Sequence, residues 1–261
     1  MAYRTINLAL SGSVATLTLN SPRTSNAITE DLAADVAEAC REVRESDEVR
    51  VLVVTGAGRT FSAGGFPPAW LVSGERTGPP VVERLQRLRA AEPVAMVEKP
   101  VIAAINGPAL GQGVELALAC DLRLASSTAT FALPHLAHGL LPWDGGTQRL
   151  PRIIGLPRAR EMLLTGRRLS ARQALAFGLV ARVVPAGRLM TEAMALAERV
   201  AQGAPVAARY AKEAVLKSAD LPLADGLRLE ADLAVLLHTT QDRAEGLASF
   251  KERRGAKFVG R

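Results

Sequence analysis

One carboxylate, Glu115, lies in an apolar segment next to a glycine-rich turn, and this segment has the clearest capacity for chemistry in the chain. The stretch from Asn106 to Asp121 predicts the end of a strand, a turn and then an apolar helix. The start of a helix presents N–H groups without partners and a partial positive charge, which together suit a developing oxyanion. A carboxylate one turn into that helix could transfer a proton.

The alternative interpretation is a close-packed turn with Glu115 on the surface. Val114 and Leu116 flank it, and a carboxylate among apolar residues is costly to bury without a partner or a function. The sequence therefore favours a functional Glu115.

Two further segments contain residues that could act at the same site. Thr60–Phe66 follows a buried strand, and its glycine pair permits close approach of a ligand to the backbone, so the N–H of Ala63 could point into a cleft. A plain tight turn explains that segment equally well. His135 and Asp144 lie nine residues apart, and a carboxylate can orient an imidazole. A structural histidine is the alternative.

Composition limits the class of protein. The 261 residues are 48% apolar, which is typical of a globular chain with a substantial core. Without a membrane-length apolar run or a signal peptide, and with only Cys40 and Cys120, a cytoplasmic protein with buried free thiols is expected.

The net charge of +6 comes from dispersed basic residues, and aromatic residues make up only 4% of the chain. That pattern disfavours nucleic acid as a partner and leaves two possibilities, a solvated basic surface or a ligand carrying a nucleotide. The sequence contains no P-loop, no dinucleotide-binding motif and no G-x-S-x-G motif. It also contains no Cys/His cluster with the spacing of metal ligands, so no metal is expected.

The periodicity predicts an α/β fold. Strands are expected at Val14–Leu19, 51–54 and 100–105, with helices at 27–43, 81–92 and 112–119. From about residue 157 the pattern is almost entirely helical. We expect a core at residues 1–200 and a helical region at 201–261, whose exposed apolar faces suggest packing against a neighbouring subunit.

Taken together, these segments resemble the crotonase family, the enoyl-CoA hydratases and isomerases. The resemblance spans nearly the whole chain. It rests on Ser25-Asn26-Ala27, Val53–Gly58, Phe61–Gly64, Asn106–Asp121, Gly145–Leu150, Leu164-Thr165-Gly166 and Ala176–Val180.

The resemblance implies a crotonase-like spiral of ββα turns with a C-terminal helical trimerisation region, assembled as a homotrimer or a dimer of trimers. It implies a lyase-type enzyme of fatty acid metabolism that acts on an acyl-CoA, with coenzyme A as part of the substrate, no separate cofactor and no membrane partner. The thioester oxygen would lie between the N–H groups of Ala63 and Gln112. The residues expected at the substrate are Ala27, Gly64, Phe66, Gly111, Trp143, Lys257 and Phe258.

The chain departs from the family pattern at several of these positions. Glu115 matches the first of two hydratase glutamates, but His135 stands at the second. Gln112 replaces the middle glycine of a Gly-Gly-Gly run, Trp143-Asp144 replaces Gly-Ala, and Phe66 replaces an aspartate. A histidine with an aspartate nine residues later resembles the superfamily's C–C bond hydrolases, which cleave β-diketones. Asp144 also resembles an aspartate of the dihydroxynaphthoyl-CoA synthases.

Four functions follow from these matches and departures. The first is a hydratase or isomerase with Glu115 as acid/base and His135 or Asp144 in place of the second glutamate. The second is a β-diketone-type C–C bond hydrolase in which His135 activates water and Asp144 orients the imidazole. An aspartate nucleophile at Asp144, as in the dehalogenase branch, ranks last among the enzymes. A non-catalytic protein on the same fold is the remaining alternative.

Overall fold

The computed structural model describes residues 3–65 and 80–261. Within these ranges, six strands form one sheet in the order β1-β2-β3-β4-β6-β9, and three short strands form a second sheet in the order β5-β7-β8. The strands are β1 Ile6–Ser11, β2 Val14–Leu19, β3 Val51–Gly56, β4 Val101–Ile105, β5 Ala109–Leu110, β6 Leu122–Ser126, β7 Thr130–Ala132, β8 Leu169–Ser170 and β9 Arg182–Val184.

The large sheet is parallel from β2 to β9, and only the β1–β2 pair is antiparallel. Every residue of β3 and β4 is buried, because helices cover both faces. One face packs mainly against the helices Glu30–Glu45 and Gln112–Ala119, and the other packs against the helix Leu189–Ala201. The helices are α1 Glu30–Glu45, α2 Val81–Arg87, α3 Ala91–Ala95, α4 Gln112–Ala119, α5 Gly146–Ile154, α6 Leu156–Thr165, α7 Ala171–Ala176, α8 Leu189–Ala201, α9 Pro205–Lys217, α10 Leu223–Leu237 and α11 Gln241–Glu252.

The structure agrees with most of the predicted elements. The predicted strand at Val14–Leu19 and the helix at Gln112–Ala119 are confirmed residue for residue. The single helix predicted over 81–92 is wrong, because the chain forms two helices, α2 and α3, separated by residues 88–90. The strand Ile6–Ser11 was not predicted. It lies at the sheet edge, where most of its side chains are exposed, although Ile6, Leu8 and Leu10 alternate with smaller or polar residues as in a strand.

Helices α9, α10 and α11 leave large apolar side chains exposed, among them Val215, Leu223, Val235 and Phe250. That is the surface character expected of the trimerisation region, although subunit packing and the division at residue 200 stay predictions. No helix in residues 3–65 and 80–261 has the length and apolar character needed to span a membrane.

The loop from residue 61 to residue 65 is attached next to the start of α4. Isolated β-bridges join Ser62 to Ala109 and Ala27 to Gly64. The N–H of Leu110 also donates to the carbonyl of Ser62 at 3.0 Å. Residues distant in sequence are therefore held against the helix that carries the candidate carboxylate.

Asn26 is the buried polar residue that holds this loop region in place. Its side chain accepts the N–H of Ser21 at 2.9 Å and donates to the carbonyls of Ala57 at 3.0 Å and Thr60 at 2.8 Å. Its φ of 54° lies in the left-handed region, which asparagine tolerates better than most residues. The turn before α1 is thereby joined to the loop that leads to residues 61–65.

Replacing Asn26 with alanine should destabilise the fold by about 2–4 kcal/mol, because three backbone groups lose their partner in a buried site. Urea unfolding followed by circular dichroism measures the effect. Asn20→Ala is the matched control, since Asn20 is exposed. An Asn26→Ala variant as stable as Asn20→Ala would show that the side chain does not hold the loop.

Candidate active site

The start of α4 forms the centre of the site. Gly111 precedes the helix with φ 51° and ψ −123°, a conformation that favours glycine. Its N–H donates to the carbonyl of Ala132 at 2.8 Å, which fixes the turn against β7. All eight residues of α4 are buried. The helix is therefore a rigid internal support rather than a surface element.

The two carboxylate oxygens of Glu115 have different environments. Oε1 accepts the N–H of Asp144 at 2.9 Å and the N–H of Gly146 at 2.7 Å. Oε2 has no hydrogen-bond partner in the described part of the chain and lies 3.9 Å from Nε2 of His135. The side chain is 0% exposed. The two hydrogen bonds to Oε1 thus fix the carboxylate, while Oε2 accepts no hydrogen bond from the described residues.

Burial shifts the pKa values of Glu115 and His135 in opposite directions. Desolvation raises the pKa of Glu115 to about 7, against the opposing effect of the Gly146 and Asp144 N–H groups. Desolvation, with a smaller contribution from His138, lowers the pKa of His135 to about 4. At neutral pH the imidazole is therefore uncharged, and the 3.9 Å contact is not a salt bridge. Glu115 can both accept and release a proton under the same conditions.

His135 is placed by a short 3-10 helix, His135–His138, that follows Pro134. Its side chain is 2% exposed, and its ring meets that of Trp143 edge-on, with centroids 5.7 Å apart and planes at 80°. The ring also lies next to Gly111, where an added Cβ would be 3.6 Å from Cε1. His135 therefore reaches the Glu115 site, as the sequence predicts.

Asp144 is next to Glu115, but it does not pair with His135. Its Oδ2 accepts the N–H of Ala91 at 2.7 Å and its Oδ1 accepts the N–H of Glu92 at 3.2 Å. These N–H groups begin α3 and have no partner within the helix, so a carboxylate is a favourable acceptor there. The predicted hydrogen-bonded pair of His135 and Asp144 is absent from the described contacts. Burial outweighs these hydrogen bonds and raises the pKa of Asp144.

The prediction that Ala63 supplies an oxyanion N–H is corrected. That N–H donates to the carbonyl of Ser25 at 2.9 Å and is not available to a ligand. Within residues 3–65 and 80–261, the N–H groups of Gly65 and Gln112 donate to no protein acceptor. They lie close together, because an added Cβ on Gly64 would be 3.2 Å from N of Gln112. In the sequence, the glycine pair Gly64-Gly65 indicated that the backbone of this segment could approach a ligand.

The side chain of Gln112 fills the space beside Gly65. Its Nε2 donates to the carbonyl of Leu88 at 2.9 Å, while Oε1 is buried without a partner in the described residues. An added Cβ on Gly65 would clash with that oxygen and with the carbonyl oxygen of Ile28. Glycine at position 65 therefore leaves room for glutamine at position 112.

The remaining predicted substrate-binding residues fall into three groups. Ala27, Gly64, Gly111 and Trp143 border the site just described. The N–H of Lys257 donates to Glu245 at 2.7 Å, and the carbonyl of Phe258 accepts from Arg50 at 2.6 Å, so these contacts fix the C-terminal segment. Contact of Lys257 and Phe258 with the substrate stays a prediction. Phe66 lies outside the described residues.

The chain matches known proteins of one family over almost its whole length. The model of the family described as enoyl-CoA hydratase/isomerase matches residues 9–261. The chain belongs to the enoyl-CoA hydratase/isomerase family. It is 39% identical to an (E)-benzylidenesuccinyl-CoA hydratase of Thauera aromatica, with 98% of this chain and 99% of that one covered.

The fold is the crotonase fold, as predicted. An enoyl-CoA hydratase of Bacillus anthracis superposes with a TM-score of 0.91 at 38% identity, covering 99% of this chain and 100% of the other. Enoyl-CoA hydratase domain-containing protein 2, mitochondrial, of Mus musculus is 39% identical, with 93% of this chain and 83% of that one covered.

Gly146→Ala should lower kcat about 10- to 100-fold, because a Cβ there would lie 2.8 Å from Cβ of Pro142, 3.0 Å from Oε1 of Glu115 and 3.2 Å from its Cγ. Relief of these contacts displaces the carboxylate or the loop that holds it. A steady-state assay of enoyl-CoA turnover measures kcat. Gly187→Ala is the matched control, since a Cβ at Gly187 meets nothing within 4 Å. Equal kcat in both variants would show that the placement of Glu115 does not limit turnover.

Proposed function

We propose that this protein catalyses hydratase/isomerase-type proton transfer on enoyl-CoA thioesters, with Glu115 as the acid/base group. The observation that carries the proposal is the carboxylate of Glu115, which is held through Oε1, left open at Oε2 and given a pKa of about 7 by burial. It lies on the first turn of a helix whose N-terminal N–H donates to no acceptor among residues 3–65 and 80–261.

The N–H groups of Gly65 and Gln112 would hold the thioester oxygen. Two backbone donors at a buried helix start stabilise the negative charge that this oxygen gains as the substrate becomes enolate-like. Neither N–H has a protein acceptor in the described residues, so neither must break a bond to bind the substrate. This pair takes the place of the Ala63–Gln112 pair expected from the sequence.

One carboxylate is enough for the proton transfers of both hydration and isomerisation. In hydration, ionised Glu115 takes a proton from water as the water oxygen bonds to the β-carbon, and the protonated side chain then gives that proton to the α-carbon. In isomerisation, the same carboxylate removes a proton from the α-carbon and returns it to the γ-carbon. Neutral His135 is the polar group on the Oε2 side, where it can orient the water or the acyl chain.

The contacts of Asp144 disfavour the hypothesis of a C–C bond hydrolase. It requires Asp144 to orient His135, and both carboxylate oxygens of Asp144 instead accept N–H groups of α3. A CoA thioester as substrate is favoured by the family match, and by a relative whose printed name is (E)-benzylidenesuccinyl-CoA hydratase.

Purified protein should consume trans-2-enoyl-CoA or convert trans-3-enoyl-CoA into the conjugated isomer, both followed by the absorbance of the conjugated thioester. Glu115→Gln should lose at least about 100-fold in kcat, because the amide keeps the shape of the side chain but cannot transfer the proton. Glu48→Gln serves as a control for loss of one negative charge, since Glu48 is exposed in the turn between α1 and β3. A wild type inactive on both substrates, or a fully active Glu115→Gln, would contradict the proposal.

For hydration, kcat/KM should rise with pH through about 7, since only ionised Glu115 can take the proton from water. The neutral form predominates below that pH, so activity falls on the acid side. A profile over about pH 5 to about pH 9 in a constant-ionic-strength buffer measures the midpoint. A flat profile across neutrality would show that a group with this pKa does not control the reaction.

A further inference from the structure

Three residues that depart from the family pattern make hydrogen bonds to the same short segment. Residues 88–92, here named the 88–92 bridge, join α2 to α3. Gln112 donates to the carbonyl of Leu88 at 2.9 Å, and Nη2 of Arg89 donates to the carbonyl of Trp143 at 3.2 Å. Asp144 accepts two N–H groups from the end of the same segment. The bridge thus contacts both α4 and the loop 143–146 that holds Glu115.

Every polar atom of Asp144 is used in these connections. Its N–H donates to Oε1 of Glu115 at 2.9 Å, and its carbonyl accepts Nη1 of Arg149 at 2.9 Å. Its two carboxylate oxygens accept the N–H groups of Ala91 and Glu92 at 2.7 and 3.2 Å. The residue is 2% exposed. The backbone of Asp144, and not its carboxylate, is therefore the part that contacts Glu115.

We propose that Asp144 is a positioning residue: its carboxylate fixes the loop 143–146 to the 88–92 bridge, and its N–H thereby keeps Glu115 in a fixed orientation. This inference rests on the proposed function of Glu115. It assigns no proton transfer to Asp144, in contrast to the role expected from the sequence. Loss of the two N–H bonds would let the loop move away from α3 and weaken one of the two bonds to Oε1 of Glu115.

Asp144→Asn, Asp144→Ser and Asp144→Ala separate positioning from proton transfer. Asparagine and serine keep an oxygen that can accept an N–H at a helix start, whereas alanine keeps none, and none of the three can act as a carboxylate base. A positioning role predicts that Asp144→Asn stays within about 10-fold of wild type in kcat, and that Asp144→Ala loses about 100-fold or more.

The pH profile is the measurement that a role in proton transfer would change. In Asp144→Asn the limb governed by Glu115 should remain, with its midpoint moved to lower pH, because the charge of Asp144 raises the pKa of Glu115. The loss in Asp144→Ala should appear in kcat more than in KM. Asp144→Ser should fall between the other two variants, and it decides the question if Asp144→Asn does not fold.

Asp35→Asn and Asp35→Ala are matched controls. The carboxylate of Asp35 also accepts two backbone N–H groups, those of Arg4 at 3.1 Å and Thr5 at 2.8 Å, but it lies on α1. These variants should lower thermal stability without changing kcat or the pH midpoint.

The outcomes distinguish the two proposals. Wild type without activity on either enoyl-CoA would remove the proposed function itself. If wild type is active and Glu115→Gln is not, a folded Asp144→Asn as inactive as Asp144→Ala and without the Glu115 limb would overturn the positioning role alone. Graded activity in the order Asn, Ser, Ala, with the limb preserved, supports it.

Discussion

The site depends on the desolvation of one carboxylate that has two N–H partners on one oxygen and none among the described residues on the other. Burial of Glu115 favours the neutral form, and the N–H groups of Asp144 and Gly146 favour the charged form. Since burial has the larger effect, the pKa rises to about 7, where the side chain is both a usable base and a usable acid. The loop and helices around Glu115 produce both effects, because they exclude water from its side chain and supply the two N–H donors.

The neutral histidine follows from the same burial. A charged imidazole at position 135 would stabilise ionised Glu115 and return its pKa toward that of an ordinary glutamate. Because burial instead lowers the pKa of His135 to about 4, the neighbouring ring is polar but uncharged at neutral pH. Glu115, whose pKa lies near neutrality, therefore has an uncharged imidazole beside it.

Local sequence features predicted the parts of the site that depend on local structure. The glycine turn, the start of α4 at Gln112 and the burial of Glu115 all follow from the apolar pattern around them. The roles of Ala63 and Asp144 could not be predicted this way. Whether a backbone N–H is free depends on a distant acceptor, here the carbonyl of Ser25, and the carboxylate of Asp144 meets a helix start 53 residues earlier. Such contacts have no local periodicity.

The most direct test of this account is the pKa of Glu115 in the folded protein. An NMR titration with side-chain-labelled glutamate, with Glu115→Gln used to assign the signal, measures it without any substrate. The account predicts a midpoint near 7. A midpoint near the ordinary glutamate value of 4.5 would contradict it, because the carboxylate would then be a permanently charged group held by two N–H bonds and not an acid/base group.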